Sequence, residues 1–469
     1  MLQSRIRLSS FRLLRLFQLR SAPFGRYSYT SISTPTILPK ESIKYKWIDE
    51  VEELELYEPG GYHPVMINDT LHNRYRIVDK LGYGGYSTIW LARDDQLQRY
   101  VAIKVNISSS SLSIPRREVN SLRALSRSTS NAQCGPSPID GRDAIPKVLD
   151  EFSIEGPNGT HLCYTVIPAQ GNLREASYSR LFPMQIARGL SARLALAVSY
   201  VHSQGFVHGD IHLRNVLVRL PTNFDALSID QFKEKFGAPE MVPICRVDGN
   251  LLPPNVPTKA VVPLYLGKKA HEFTRADVDG LMLSDFGEAF TPAVDQRLGR
   301  DCHIPIPKRA PEAFLQPESP LSYPSDVWSL GLAIWEIVGM KALFSDSEPR
   351  DEIVAEQIDV LGFQSFPLAW RQIWERPSSG ELDIEEPLPH QPNDYRDNWP
   401  PLEEAFEEFI QKYRKMRPEL GTFDDDETRA FLILMRGMLT FQPEERLTIE
   451  GVVKSEWMQK WALPAMSTC

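Results

Sequence analysis

Near residue 170 the hydrophobic rhythm of this chain changes. From Tyr75 to about Ile167 its apolar residues fall in short β-rich runs, "YRIVDKL", "STIWLAR", "YVAIKV" and "LCYTVI", interrupted by one helical stretch around "RREVNSLRALS". From about Met184 the patterns are long and helical, as in "QIARGLSARLALAVSYVHSQ", "DVWSLGLAIWEIVG" and "RAFLILMRGML". This order predicts an α+β chain with two lobes, a β-rich N-lobe over 75–167 and a helical C-lobe over 168–460. The stretch from about 219 to 279, with "LPPNVP" and few periodic runs, reads as an insertion. Residues 41–74 read as an N-terminal extension and 461–469 as a C-terminal tail.

A chain of 469 residues with 42% hydrophobic and 24% charged residues is long enough for one large two-lobed domain or two medium ones. Cys134, Cys163, Cys245, Cys302 and Cys469 form no CxxC or CxH pair, which argues for reduced thiols and against a structural zinc site. No apolar run approaches the roughly 20 residues that span a bilayer, so no transmembrane segment is expected. The first forty residues carry six Arg and one Lys without an acid, and their Leu and Phe recur every three or four positions. That pattern is a mitochondrial transit peptide or a basic tail. Without those seven cations the 52 Lys and Arg of the chain fall to 45 against 61 acids, a net of about −16. So acidic a body does not suit nucleic acid and suits a basic partner.

The chemistry-bearing residues fall in order along this frame. In "LGYGGYSTIW", Gly82 and Gly84 permit a tight turn that brings backbone N–H groups near phosphate oxygens, with Ser87 where a third Gly often sits. A hairpin uses the same residues. Lys104 closes the apolar "VAIK", and a Lys on an apolar strand needs a counter-charge, which Glu118 is the first carboxylate placed to supply. In "HGDIHLRN", Asp210 is positioned as a base and Asn215 as a metal ligand. Asp285 of "LSDFGEAF" is a second candidate ligand for Mg²⁺. Glu312 of "RAPEAF" needs a buried cation, for which the Arg446 fork is suited. Asp326 of "SDVWSLG" stands near a helix start, where an N-cap is its ordinary role.

"GYGGYS", "VAIK", Glu118, "HGDIHLRN", "DFG", "APE", "DVWSLG" and Arg446 occur in the order and rough spacing of the eukaryotic protein-kinase domain, over about 75–460. The chain resembles that superfamily. Within it the chain is most similar to the SR-protein kinases, through "YHPVMINDTLHNRYRIVDKLGYGGYSTIWLARD", "HLC", "DEIVAEQIDVLG" and the insertion between catalytic loop and DFG. The resemblance implies a bilobal protein kinase fold, ATP and Mg²⁺ as cofactors, and transfer of the γ-phosphate to Ser or Thr of basic, Arg/Ser-rich proteins. It implies ATP-binding roles for Leu81, Gly82, Gly84, Gly85, Ser87, Ile89, Ala102 and Lys104. Asp210, Lys104, Glu118 and Arg214 would serve catalysis, and Asn215 and Asp285 would hold the metal.

The departures keep two other readings open. "HGD" with an Asn five residues after the Asp also resembles small-molecule kinases of the aminoglycoside and choline type, although these lack the APE segment and the "DVWSLG" helix. A pseudokinase scaffold would need a lost Lys, Asp or Asn, and Lys104, Asp210, Asn215 and Asp285 are all present. His212 replaces a Lys that approaches the transferred phosphate in serine/threonine kinases, and Arg214 is placed to supply that cation. Gly209 replaces an Arg that pairs with an activation-loop phosphate, so that switch has lost its partner. Acidic runs at Asp424–Glu427, Glu403–Glu404 and Glu407–Glu408 are either a solvated face or an attractor for an Arg-rich substrate. No nucleic acid is expected as a partner and the chain is expected to act as a monomer. Its leader points to the mitochondrion, the resemblance to cytoplasm and nucleus.

Overall fold

The computed structural model describes residues 43–108, 113–127, 141–178, 181–346, 348–374 and 398–467. The basic leader lies outside them. The described residues form two compact units: those up to 108 with 152–163 and 221–264 in the first, the remainder in the second.

The strand runs legible in the sequence become a six-stranded sheet of β1 (Thr70–Leu71), β2 (Tyr75–Gly84), β3 (Ser87–Asp94), β4 (Arg99–Asn106), β5 (Asp150–Gly156) and β6 (Gly159–Val166), in the order β1-β2-β3-β4-β6-β5. β2, β3 and β4 pair antiparallel, and Gly84 opposite Ser87 closes the first turn. Asp94 builds the second turn by accepting the N–H groups of Gln96 and Leu97 at 3.0 and 3.2 Å. It also accepts a two-bond fork from Arg74, both bonds 2.9 Å.

Part of the segment read as an insertion is structured against this sheet. Asp225 accepts the N–H of Tyr100 at 2.7 Å, and its own carbonyl accepts from Arg93 at 3.0 Å. The helix Ile229–Phe236 begins with a Ser228–Gln231 capping box and stops at Gly237, whose φ is 89°. Its one buried face places Phe232 5.4 Å from the Tyr100 ring. A hairpin of Met241–Pro243 and Lys259–Val261 follows. Ile244, Val256 and Ala260 then share an apolar cluster with Val51, Leu54, Tyr57 and Tyr62 of the N-terminal extension.

The second unit holds the long helices α1 (Ser113–Ser126), α2 (Met184–Ser203), α3 (Tyr323–Val338) and α4 (Asp425–Met438). α3 is buried at every position from Ser325 to Val338, which is why its sequence is apolar on all sides. Gly331 lets α4 approach it: a Cβ there would lie 3.2 Å from the Met438 Cβ. Three short strands, Ala169–Asn172, Val216–Arg219 and Leu281–Leu283, form a separate sheet with Val216–Arg219 in the centre. No helix among the described residues is long and apolar enough to cross a membrane.

The two units do not follow the boundary at residue 167. α1 groups with the helical unit although it lies between strands, and 221–264 groups with the sheet although it follows α2. The reason is side-chain contact: Asp225 and Phe232 meet Arg93 and Tyr100, residues more than a hundred positions earlier.

Candidate active site

The expected site residues fall into two sets, one in each unit. Leu81, Gly82, Gly84, Gly85, Ser87, Ile89, Ala102 and Lys104 lie in the first. Register puts Gly82 opposite Ile89, Ile89 opposite Lys104 and Leu91 opposite Ala102, so these residues belong to one patch of three adjacent strands. A Cβ added to Gly82, Gly84 or Gly85 would meet nothing within 4 Å. The turn therefore presents unobstructed backbone, which an anionic ligand can approach closely. Lys104 is half-buried between fully buried Ile103 and Val105.

Glu118, Asp210, Arg214, Asn215 and Asp285 lie in the second unit. Glu118 is buried on α1, the helix that packs beside the turn Phe286–Glu288. The loop from His208 to Asn215 is tied by short-range polar contacts. The Asn215 amide donates to the Asp210 carbonyl and to Asp210 Oδ2, each at 2.9 Å. The Asn215 carbonyl in turn accepts from both N–H and Oγ of Ser284, at 2.8 and 2.9 Å, which brings Asp285 alongside. Asp285 has a left-handed backbone, φ 64°. Asp210 Oδ1 is buried and has no hydrogen-bond partner among the described residues, so one carboxylate oxygen is left to accept a proton. His212 Nε2 lies 3.4 Å from that atom. Arg214 is exposed, and no hydrogen bond or ion pair joins it to Asp210 among the described residues.

Asp326 does not cap a helix. It is fully buried one turn into α3, whose N-cap is Ser322, and it accepts the N–H groups of His208 and Gly209 at 2.7 and 2.9 Å and a bond with His202 Nε2 at 2.9 Å. Burial alone would raise this carboxyl; the imidazoles of His202 and His208 and the Gly209 N–H outweigh it and hold the group below its usual range. A charged side chain in the core thus fixes the backbone on which Asp210 stands.

Gly209 has φ 77°, and a Cβ there would come within 2.8 Å of the Glu288 carbonyl oxygen. No Arg fits this backbone. The segment after Asp285 is held by another charge: Glu288 pairs with Arg297 and, at 3.0 Å, with His303. Burial pushes the Glu288 carboxyl up, but both partners pull it down further, while the His303 imidazole is raised chiefly by its bond to Glu288. The carboxylate is lost only as pH falls through a value depressed below the ordinary glutamate range, and the imidazolium as pH rises through a value raised above the ordinary histidine range, so the contact is complete between them.

Glu312 and Arg446 meet as the sequence predicts. The guanidinium donates two bonds to the carboxylate, 2.8 and 2.9 Å, and is fully buried. Sequence reasoning left out Glu288 and Tyr62, and it read His212 only as the replacement of a Lys, without its contact to the Asp210 carboxylate. For Glu288 the signal was present, an acid beside the DFG glycine in a segment otherwise rich in Arg. For Tyr62, whose hydroxyl donates to the Gly84 carbonyl at 2.7 Å, no local pattern points twenty-two residues ahead.

Comparison with known proteins agrees with this geometry. The family model of the protein kinase domain matches residues 272–458, a span that contains Asp285, Glu312, Asp326 and Arg446. A serine/threonine protein kinase of Aspergillus fumigatus is 27% identical over 430 residues, 87% of this chain and 90% of its own. The serine/threonine-protein kinase SRPK of Physarum polycephalum is 26% identical over 433 residues, 87% of this chain and 91% of its own. A crystal structure of the kinase domain of PF14_0431 shares the fold, with a TM-score of 0.55 at 16% identity, over 84% of this chain and 98% of that one.

Proposed function

We propose that this chain, a member of the protein kinase superfamily and a serine/threonine kinase, transfers the γ-phosphate of ATP to Ser or Thr hydroxyls of basic, Arg/Ser-rich proteins. The observation that carries the catalytic part is the buried, unbonded Oδ1 of Asp210 beside an Asn215 amide that fixes the other oxygen. In the step proposed, the substrate hydroxyl oxygen attacks the γ-phosphorus, its proton goes to Asp210, and the bond to the bridging oxygen breaks to leave ADP. His212 is close enough to Asp210 to steady its charge. Gly82, Gly84, Gly85 and Lys104 would hold the phosphates, with Glu118 as the counter-charge of the Lys. Arg214, the residue before Asn215, would add a cation.

The donor set suits Mg²⁺. Asp285 and Asn215 supply a carboxylate and an amide oxygen from adjacent backbone, and no group of three His, Cys, Asp or Glu side chains able to hold a metal exists among the described residues. Mg²⁺ is commonly held by one or two protein oxygens together with substrate phosphates. When bound it would neutralise charge on the β- and γ-phosphates.

The Arg-rich preference rests on the net charge of the body and on the SRPK name of a relative that spans most of the chain. The acidic runs contribute less to it than their sequence implies. Asp424 caps α4 and Glu427 is fully buried, paired with Arg188 and bonded to Trp457 at 3.1 Å. Glu403 pairs with Arg436, Glu407 with Lys415 and Asp426 with Arg429. What is left is long-range attraction, which acts on encounter and is screened within about 8 Å at physiological salt. An Arg/Ser peptide is expected to be phosphorylated faster than an acidic Ser peptide of equal length, by an advantage that shrinks as salt rises. Equal rates at low salt would remove the Arg-rich reading. Phosphate appearing on small alcohols in preference to either peptide would replace the protein substrate by a small molecule.

Control by phosphorylation is not expected in the segment Asp285–Glu312, where Thr291 is the one hydroxyl and Glu288 already occupies Arg297 and His303. Phosphatase treatment should leave the rate within about twofold, while Glu288→Gln should lower kcat by on the order of tenfold to a hundredfold through misplacement of the segment. A large loss on dephosphorylation would contradict this arrangement.

A further inference from the structure

We propose that Tyr62, in the N-terminal extension, is a positioning residue for nucleotide binding, acting through Gly84; this rests on the ATP-binding reading of the glycine turn. Its hydroxyl donates to the Gly84 carbonyl at 2.7 Å. Gly84 and Gly85 are exposed and carry no side chain, and nothing lies within 4 Å of where their Cβ atoms would be. Such a turn has little of its own to hold one conformation. Tyr62 supplies a fixed point.

The geometry of the peptide unit explains what that point controls. The carbonyl of Gly84 and the N–H of Gly85 belong to one planar trans group and face opposite ways. A hydroxyl that pins the carbonyl on one side therefore sets the direction of the Gly85 N–H on the other, and that N–H is one of the donors an incoming phosphate needs. Each N–H oriented in advance spares an ordering cost when the ligand arrives.

Tyr62 is itself held as a rigid post. It is 2% exposed, its N–H donates to the Leu56 carbonyl at 2.9 Å, and its carbonyl accepts from the buried Asn158 amide at 2.7 Å. Its ring lies 5.5 Å from that of Tyr57. Burial pushes its hydroxyl up to about 12, so it remains a donor throughout the physiological range. Four residues before Gly84 the same strand is fastened again. Lys80 is fully buried, pairs with Glu52, and places its ammonium 5.4 Å from the Tyr83 ring and 5.3 Å from the Trp90 ring. Glu52 also accepts the Tyr57 hydroxyl at 2.5 Å. Tyr57 and Tyr62 thus present two hydroxyls from one cluster, one to an anchoring acid and one to the glycine turn.

That pairing provides the test. In the full chain, Tyr62→Phe keeps the ring and removes only the bond to the turn, whereas Tyr57→Phe removes a bond to Glu52 and leaves the turn alone. We expect Tyr62→Phe to weaken Mg-ATP binding by calorimetry, and to raise KM for ATP, by about three- to tenfold, with kcat within about twofold and little change in melting temperature. Tyr57→Phe should act on melting temperature and not on KM for ATP. ATP binding equal in wild type and Tyr62→Phe would overturn this inference alone, as would identical losses of binding and thermal stability in both variants. A wild-type chain that bound no ATP would overturn the nucleotide reading and this inference together.

Discussion

Replacement of Asp210 by Ala is expected to lower phosphoryl transfer by about 10²–10⁴-fold with Mg-ATP affinity and melting temperature near those of the wild type. The separation of the two effects follows from the loop. Its backbone is held by the buried Asp326, which takes the N–H groups of His208 and Gly209, and by Ser284, which donates to the Asn215 carbonyl. The Asp210 backbone carbonyl, which also accepts from Asn215, is untouched by the substitution. What is lost is Oδ1, the carboxylate oxygen without a hydrogen-bond partner among the described residues, which has His212 Nε2 3.4 Å away. Asp210→Asn should be nearly as inactive, since an amide cannot take the proton. Full activity in either purified variant would sink the assignment. Radiolabelled transfer to an Arg/Ser peptide measures it.

The second large effect concerns stability. Arg446→Met is expected to destabilise the helical unit by about 3–5 kcal/mol, read as a lower midpoint in urea unfolding. Arg446 donates to both oxygens of Glu312 and to the carbonyls of Thr440, Phe441 and Pro324, and its guanidinium lies 5.2 Å from the Trp328 ring. Removing it leaves a buried carboxylate and three carbonyls without their donor. The double variant Arg446→Met with Glu312→Leu should be less destabilised than Arg446→Met alone, because an uncompensated buried charge costs more than an absent pair. If the single and double variants unfold at the same midpoint, the pair carries no such coupling.

Much of this site is legible without coordinates. Lys104 reads as functional because a cation on an apolar strand demands an explanation, and Glu312 and Arg446 read as partners because each needs the other. Those arguments use charge and burial, which the hydrophobic pattern already encodes. Asp326 shows the limit. Near a helix start its ordinary role is a cap, and only the packed core reveals that its carboxylate reaches back to residues 118 and 117 positions earlier. Gly209 is similar: its sequence shows a missing Arg, its backbone shows why none fits, a positive φ against the Glu288 carbonyl. The insertion looked aperiodic because two short helices, Ile229–Phe236 and Arg275–Asp279, and a pair of three-residue strands leave too few repeats for a periodic signal.

Legible in the sequence by itself are the strand and helix runs, their order from β-rich to helical, the resemblance to protein kinases and the acid, amide and lysine proposed for transfer. These follow from local spacing, since side chains two apart on a strand or three and four apart on a helix share a face. The tertiary structure alone decided which distant groups hold these segments: Asp326 for the loop from His208 to Asn215, Glu288 for the segment after Asp285, Tyr62 for the glycine turn, and residues 221–264 for the sheet. A hydrogen bond or ion pair between residues far apart leaves no period in the chain. It exists only once the core has paid the entropy of bringing them together.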